Sequence, residues 1–135
     1  MASNFKKSTT LRNAQNDAIT TAVGNAGLLR IYSGTQPANV AAAITGTLLG
    51  ELTCGTPFAP ASSGGVLTAN AVTQDSSADN TGTASHYRQW KSDGTTAVMD
   101  GTVGTASSDL IINTTAITSG GPIQVSSYTI TASGA

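Results

Sequence analysis

Apolar residues near the start of the chain recur at three- and four-residue steps, the spacing of one face of a helix. The sequence therefore predicts a single short helix over residues 9–23, capped by a hydroxyl residue among 8–10 and ended by Gly24 or Gly27. Its apolar positions are Leu11, Ala14, Ala18, Ala22, Ile19 and Val23. The opposite face carries Arg12, Asn13, Asn16, Asp17 and Thr20. A helix this weakly apolar must pack on something to persist.

From Leu28 onward the pattern changes to the two-residue alternation of strands. Strand-like runs cover residues 28–32, 47–54, 66–73, 83–91, 95–99, 109–113 and 123–132. Because no helices alternate with these strands, a parallel sheet is not expected. The sequence predicts a mainly β fold: an antiparallel, jelly-roll-like β-sandwich with a short N-terminal helix at about 9–24. Residues 1–8 are predicted to form an N-terminal arm, and residues 9–135 a single domain.

The clearest turn signal is Asp93-Gly94, which stands between two of these runs. Asp-Gly between strand-like segments is typical of a β-hairpin. The pattern thus predicts that residues 83–91 pair with residues 95–99. A second pair, Asp100-Gly101, is predicted to close the return strand.

Strand alternation in the first arm of this hairpin places His86, Arg88 and Trp90 on one face, together with Ala84. The side chains of residues 87, 89 and 91 should lie opposite. Trp and Arg are enriched at interface hot spots, so this face can be a contact surface. The alternative is that Trp90 packs in a sandwich core and His86 is merely a strand residue.

The last strand-like run changes parity along its length. Ile123 and Val125 share one face, whereas Tyr128 and Ile130 share the other. A β-bulge near Ser126-Ser127 would bring both pairs inward. Otherwise the strand is buried on both faces.

The composition indicates how the protein is stabilised more than what chemistry it performs. Ala, Gly, Ser and Thr number 20, 15, 15 and 22 of the 135 residues, and charged residues make up 10%. The core must therefore be thin, so part of the stability is expected to come from association with other chains. The net charge is −1 with only six basic residues, which does not favour direct binding of nucleic acid.

Catalytic and metal-binding patterns have little support in the sequence. With one cysteine, Cys54, and one histidine, His86, the chain falls short of a zinc site, and a Ser-His-Asp grouping built on a single histidine is uninformative. Asp75 and Asp79 lie in a polar loop without the spacing of a calcium loop. We expect no enzyme activity, no cofactor and no metal. No apolar run is long enough to span a membrane. Residues 1–7 are not followed by the apolar segment of a secretory signal peptide, so we expect none.

Several segments together resemble small virion proteins of tailed bacteriophages and prophages. They are KKSTTLRNAQNDAITTAVGNAGLLRIYSGTQPA (residues 6–38), LLGELTC (48–54), FAPASSGGVLTAN (58–70), SHYRQWKSDGTTAVMDGTVG (85–104) and GGPIQVSSYTITA (120–132). The resemblance covers nearly the whole chain and is one of overall pattern.

This resemblance implies a structural virion protein, and within that class a capsid decoration (cement) protein. Such a protein binds the outside of the capsid and cements neighbouring major capsid subunits. The implied partners are the major capsid protein and further copies of the chain, as a dimer or trimer on the lattice. The implied location is the virion, assembled in the bacterial host cytoplasm. Some cement proteins have a jelly-roll sandwich, in line with the predicted strands.

Two alternatives stay open for the function. The chain can be another virion part, associated with a tail, neck or fibre. It can also be a carbohydrate- or receptor-binding β-sandwich module, in which Trp90, Tyr87 and His86 form a platform for sugar.

Six residues are the candidates for subunit contact: Phe5, Lys6, Lys7, His86, Arg88 and Trp90. The first three belong to the arm, which is either a docking segment or a frayed end. The other three belong to the polar-aromatic face of the hairpin.

Overall fold

The computed structural model describes residues 4–134, which form one helix and nine strands. The helix, α1, spans Thr9–Val23 as predicted, with Ser8 as its N-cap and Gly24 as its C-cap. The strands β1 to β9 are, in chain order, Leu28–Tyr32, Leu48–Thr53, Val66–Thr68, Gly82–Thr83, His86–Trp90, Ala97–Gly104, Leu110–Ile112, Ala116–Ile117 and Val125–Thr131. The prediction of a mainly β chain with one short N-terminal helix is confirmed.

Seven of the strands form one curled sheet in the order β2-β1-β5-β6-β7-β9-β3, and β4 pairs with β8 separately. Most neighbours are antiparallel, but β6 and β7 are parallel. The sheet is therefore mixed, and the expectation of a purely antiparallel arrangement was wrong.

The parallel pair is made without a crossover helix. A five-residue connection, 105–109, brings the chain back, so that β7 runs in the same direction as β6 and Val103 lies beside Leu110. The Asp109 carboxylate fastens this loop by accepting hydrogen bonds from the Thr102 amide (2.9 Å) and hydroxyl (3.1 Å). Parallel neighbours usually need a dozen or more connecting residues. Here the hydrogen bonds of the Asp109 side chain hold a much shorter connection in place. Such a connection cannot be inferred from the presence or absence of a βαβ pattern in the sequence.

The predicted hairpin is present as β5 and β6. The Lys91 amide donates to Thr96 O (2.9 Å), which closes the connection around Asp93-Gly94. The return strand, however, continues to Gly104, so Asp100-Gly101 lies inside β6 and forms no turn. Gly101 serves packing instead, because a Cβ there would lie 2.5 Å from the Tyr87 ring.

The main core lies on the inner face of the sheet. It contains Leu29, Ile31, Leu49, Leu52, Phe58, Leu67, Leu110, Ile112 and Ile123. Tyr128 packs edge-on against both Phe58 and Tyr87, with ring centroids 5.4 Å apart in each pair. In the pairing of β7 with β9, Ile111 faces Ser127 and Ile112 faces Val125. Ser126 is therefore an extra residue, which confirms the predicted bulge.

The helix packs through polar side chains as well as apolar ones: Val23 at its end belongs to the core, and Ile19 packs against that core. Asn16 is buried and donates to Gly65 O (2.8 Å), while Asn13 Oδ1 accepts from the Gly65 amide (2.8 Å). Arg12 donates to Ala132 O (3.0 Å). Leu11 of the apolar stripe is 44% exposed. Hydrogen bonds to the turn before β3 and to the end of the chain thus fix α1.

Candidate functional site

A row of four charged side chains crosses the outer face of the sheet. Strand register pairs Arg30 with Glu51, Arg30 with Arg88, and Arg88 with Asp100. The row therefore runs across β2, β1, β5 and β6 with two guanidinium groups in its centre and a carboxylate at each end. We call these four residues, together with Trp90 and His86, the polar layer.

Arg88 and Asp100 form a buried, two-pronged ion pair. Arg88 Nε donates to Asp100 Oδ1 (2.6 Å) and Nη2 donates to Oδ2 (2.9 Å), and the two side chains are 4% and 5% exposed. Arg88 also donates to Ala42 O (2.8 Å) and Asn39 O (3.3 Å). The hydrogen bonds with Asp100 raise the pKa of Arg88. Burying these charges is tolerable because the guanidinium is so fully bonded.

Trp90 lies over both guanidinium groups. The Cζ atoms of Arg30 and Arg88 are 5.2 Å and 5.8 Å from the indole centroid, within the range of cation–π attraction. Arg30 Nε donates to Glu51 Oε2 (2.7 Å) and its Nη1 donates to Gly94 O (3.0 Å). The two guanidinium groups therefore hold the indole in place, and the bond to Gly94 O ties the Arg30 guanidinium to the hairpin turn.

His86 is fully buried beside this row. Its ring stacks on Tyr32 with centroids 5.5 Å apart. Ser85 Oγ donates to Gly34 O (2.5 Å) and lies 3.1 Å from His86 Nδ1, within hydrogen-bond distance of the ring. His86 Nε2 is buried and has no hydrogen-bond partner among residues 4–134. Burial lowers the pKa of His86 below 6.5, although the charge of Asp100 opposes this. The ring is therefore neutral near pH 7.

The polar layer is covered by residues 33–46, which we call the cover segment. Its carbonyls at Gly34, Asn39 and Ala42 accept the bonds from Ser85 and Arg88 described above. Between this segment and the hairpin lies an open groove of about 620 Å³. Its lining residues are Val40, Ala41, Ala42, Ala43, Arg88, Trp90, Thr95 and Ala97.

The hairpin candidates share one face, as alternation predicts, but they differ in access. His86 lies beneath the cover segment, whereas Arg88, which is also buried, and the half-buried Trp90 both line the groove. The sequence predicts either a contact surface or a sandwich core as the environment of this face. Neither describes it fully, because its side chains form a polar layer apart from the main core. Their role in subunit contact stays a prediction.

The arm candidates belong to the N-terminal segment, and the last of them, Lys7, lies beside the C-terminal segment. Lys7 donates from its amide to Gly134 O (2.7 Å) and from Nζ to Gln15 Oε1 (3.0 Å). Phe5 is 69% exposed and Lys6 is exposed. The arm is thus anchored at residue 7, and Phe5 and Lys6 stand before that anchor.

Asp100, the partner of Arg88, was missed from sequence. The Asp93-Gly94 turn sets Trp90 opposite Ala97, and simple counting would then place Met99 opposite Arg88. A register shift between Gln89 and Trp90 instead brings Asp100 to that position. The sign of this partner in the sequence was a carboxylate at Asp100, one position after the residue that simple counting places opposite Arg88.

The three aromatic candidates for a sugar platform do not share a face. Tyr87 is buried on the inner face, opposite Trp90 and His86. Two residues further along the same strand face, Gln89 Oε1 accepts from Tyr128 Oη (3.0 Å) and from Cys54 Sγ (3.5 Å). Burial raises the pKa of Cys54 to about 11, so this sulfur stays a thiol. These groups bond to one another in the core.

The loop acids are partly engaged in backbone bonds. Asp75 accepts from the amides of Glu51 and Ser77, both at 3.0 Å. Within residues 4–134, no three His, Cys, Asp or Glu side chains group closely enough to hold a metal ion. Over the same range, α1 falls short of the length and apolarity needed to cross a membrane.

No family model, curated protein or solved structure matches this chain.

Proposed function

We propose that this chain is a structural virion protein of a tailed bacteriophage. In this proposal it binds the outside of the capsid and cements neighbouring major capsid subunits. The observation that carries the proposal is how the fold uses its rarest side chains. His86 is buried against Tyr32, and Arg88 and Asp100 form a buried ion pair, which supports an architectural role for these side chains. A non-enzymatic role without a cofactor is part of the proposal.

The surface chemistry supports an extended contact role. With 10% charged residues, a large contact removes few charges from water. Many copies on a symmetric lattice would add modest contacts into strong overall attachment. We also infer that the curled sheet corresponds to a jelly-roll-like sandwich, as the resemblance to decoration proteins implies.

The decisive experiment measures copy number and position in particles of the phage that encodes this chain. Cryo-electron microscopy should place hundreds of copies on the outer surface of mature heads. Stripping the protein should lower the temperature at which heads release DNA, and adding the purified chain back should restore it. Heads without this chain on their surface would overturn the proposal. Six or twelve copies near a vertex would instead establish a tail or neck component.

A further inference from the structure

The groove beside Trp90 has room for a side chain from another molecule. Four of its eight lining residues are alanines, at positions 41, 42, 43 and 97. Its volume of about 620 Å³ falls within the range of sites that hold a small ligand or several side chains. Trp90 contributes an indole, to which a second aromatic ring can pack edge-on or offset. The groove thus suits an aromatic side chain.

A negative charge lies next to the groove, at the residue that bonds the Thr95 amide. The exposed Asp93 carboxylate accepts hydrogen bonds from the amides of Thr95, a lining residue, and Thr96. The Thr96 hydroxyl and these amides lower the pKa of Asp93 to about 2, so the carboxylate is ionised at every ordinary pH. Arg88, the charged residue of the lining, is paired with Asp100, so Asp93 supplies the charge that a cation next to a bound aromatic residue would meet.

The N-terminal arm carries this combination. Phe5 is the more exposed of the two exposed large hydrophobic side chains in the described part of the chain, at 69% against 44% for Leu11. Lys6 follows it and is also exposed. We propose that the groove of one copy binds Phe5 of a second copy, with Lys6 of that arm beside Asp93.

The exchange is reciprocal, because every copy carries both an arm and a groove. Two copies related by a twofold axis therefore make the contact twice, which strengthens the association. The anchor of Lys7 at Gly134 holds the base of each arm in place. This contact needs no capsid, so its failure and the failure of the virion role are distinguishable.

A disulfide experiment tests the contact directly. Phe5→Cys and Ala41→Cys are made in separate chains, mixed and mildly oxidised. The mixture should form a heterodimeric disulfide several-fold faster than Phe5→Cys mixed with Ser119→Cys, whose cysteine lies on an exposed turn. Cys54 stays silent because it is buried. Equal rates would overturn the proposal. So would a Phe5→Cys/Ala41→Cys double variant that cross-links within one chain at a rate independent of protein concentration.

Sedimentation equilibrium gives a second, independent measurement on the full chain. Phe5→Ser lies outside the helix and strands, so it should weaken dimerisation while the chain stays folded, which circular dichroism checks. Ala97→Glu should also weaken it, whereas Ala116→Glu on exposed β8 should not. Lys6→Glu should weaken dimerisation more at low salt than at about 0.5 M salt, where exposed charges are screened. Wild-type protein that stays monomeric at every concentration, or a Phe5→Ser variant that dimerises as wild type does, would overturn the proposal.

Discussion

At the scale of single residues, the outer face of the sheet depends on the pairing of Arg88 with Asp100. Each charge is removed from water, and the compensation comes from two direct bonds between the side chains and two further bonds to carbonyls of the cover segment. Removing one partner leaves the other charge buried and unpaired. Removing both leaves no buried charge of this pair without its partner, which is a smaller loss.

Asp100→Ala should therefore lower the free energy of unfolding by about 3–5 kcal/mol in urea denaturation. The double variant Arg88→Met/Asp100→Leu should recover much of that loss. Glu51→Ala is the matched control, because its pair with Arg30 is more exposed and should contribute at most about 1 kcal/mol. If Asp100→Ala cost no more than Glu51→Ala, the buried pair would not stabilise the fold as argued.

His86 predicts a dependence of stability on pH. Its pKa is lowered in the folded chain, so below 6.5 the unfolded chain binds a proton that the folded chain does not. The free energy of unfolding should be constant above that value and fall as pH drops toward the folded pKa. His86→Phe keeps a ring against Tyr32 but cannot titrate, and it should remove this fall.

Urea denaturation from about pH 8 to about pH 5 measures the effect of His86. It is the only histidine in the chain. Asp93, whose pKa is lowered from 3.8 to about 2, loses its contribution only at more acidic pH. A His86→Phe variant with the same pH profile as wild type would show that other groups cause the fall.

At the scale of elements, the first half of α1 departs from the usual relation between apolar pattern and burial, whereas Val23 at its end is buried as the pattern predicts. Its buried contact with the turn before β3 is made by Asn16 and Asn13, and Leu11 faces outward. Asn16→Ala removes the donor to the Gly65 carbonyl and should cost about 1–3 kcal/mol. Leu11→Ala should change stability by no more than about 0.5 kcal/mol. Thermal unfolding of both variants compares them, and a larger loss for Leu11→Ala would contradict this account of helix packing.

The elements that could be predicted from the sequence are those set by local chemistry. The bounds of α1 follow from a hydroxyl cap and a glycine stop, and the bulge at Ser126 follows from the change in apolar parity. The parallel pair of β6 and β7 could not be predicted, because the Asp109 side chain rather than a helix holds the connection. A single register shift likewise hid Asp100 from the candidate site. Hydrogen bonds from a single side chain and register shifts of this kind leave no periodic pattern in the sequence.

At the scale of the whole molecule, the chain between β3 and β4 connects the edge strand β2 of the curled sheet to the residues just before β9. Thr73 bridges to Thr53 at the end of β2, and Asp75 bridges to Ile123, just before β9. The carboxylate of Asp75 also accepts the Glu51 amide of β2. Unpaired strand edges invite association with other chains, so these links also protect the edge at β2.

Asp75→Ala should therefore loosen the sheet at both of these places. The Glu51 and Ser77 amides lose their acceptor, and we expect a loss of about 1–3 kcal/mol in the free energy of unfolding. Native-state hydrogen exchange should accelerate at the Glu51 and Ile123 amides more than at those of β5. Asp79→Ala is the control, because Asp79 is exposed and holds β2 through its backbone amide, which donates to Leu49 O (2.7 Å) and survives the substitution. Equal protection in the two variants would mean that the backbone bridges alone make this connection, and that the carboxylate of Asp75 adds nothing to it.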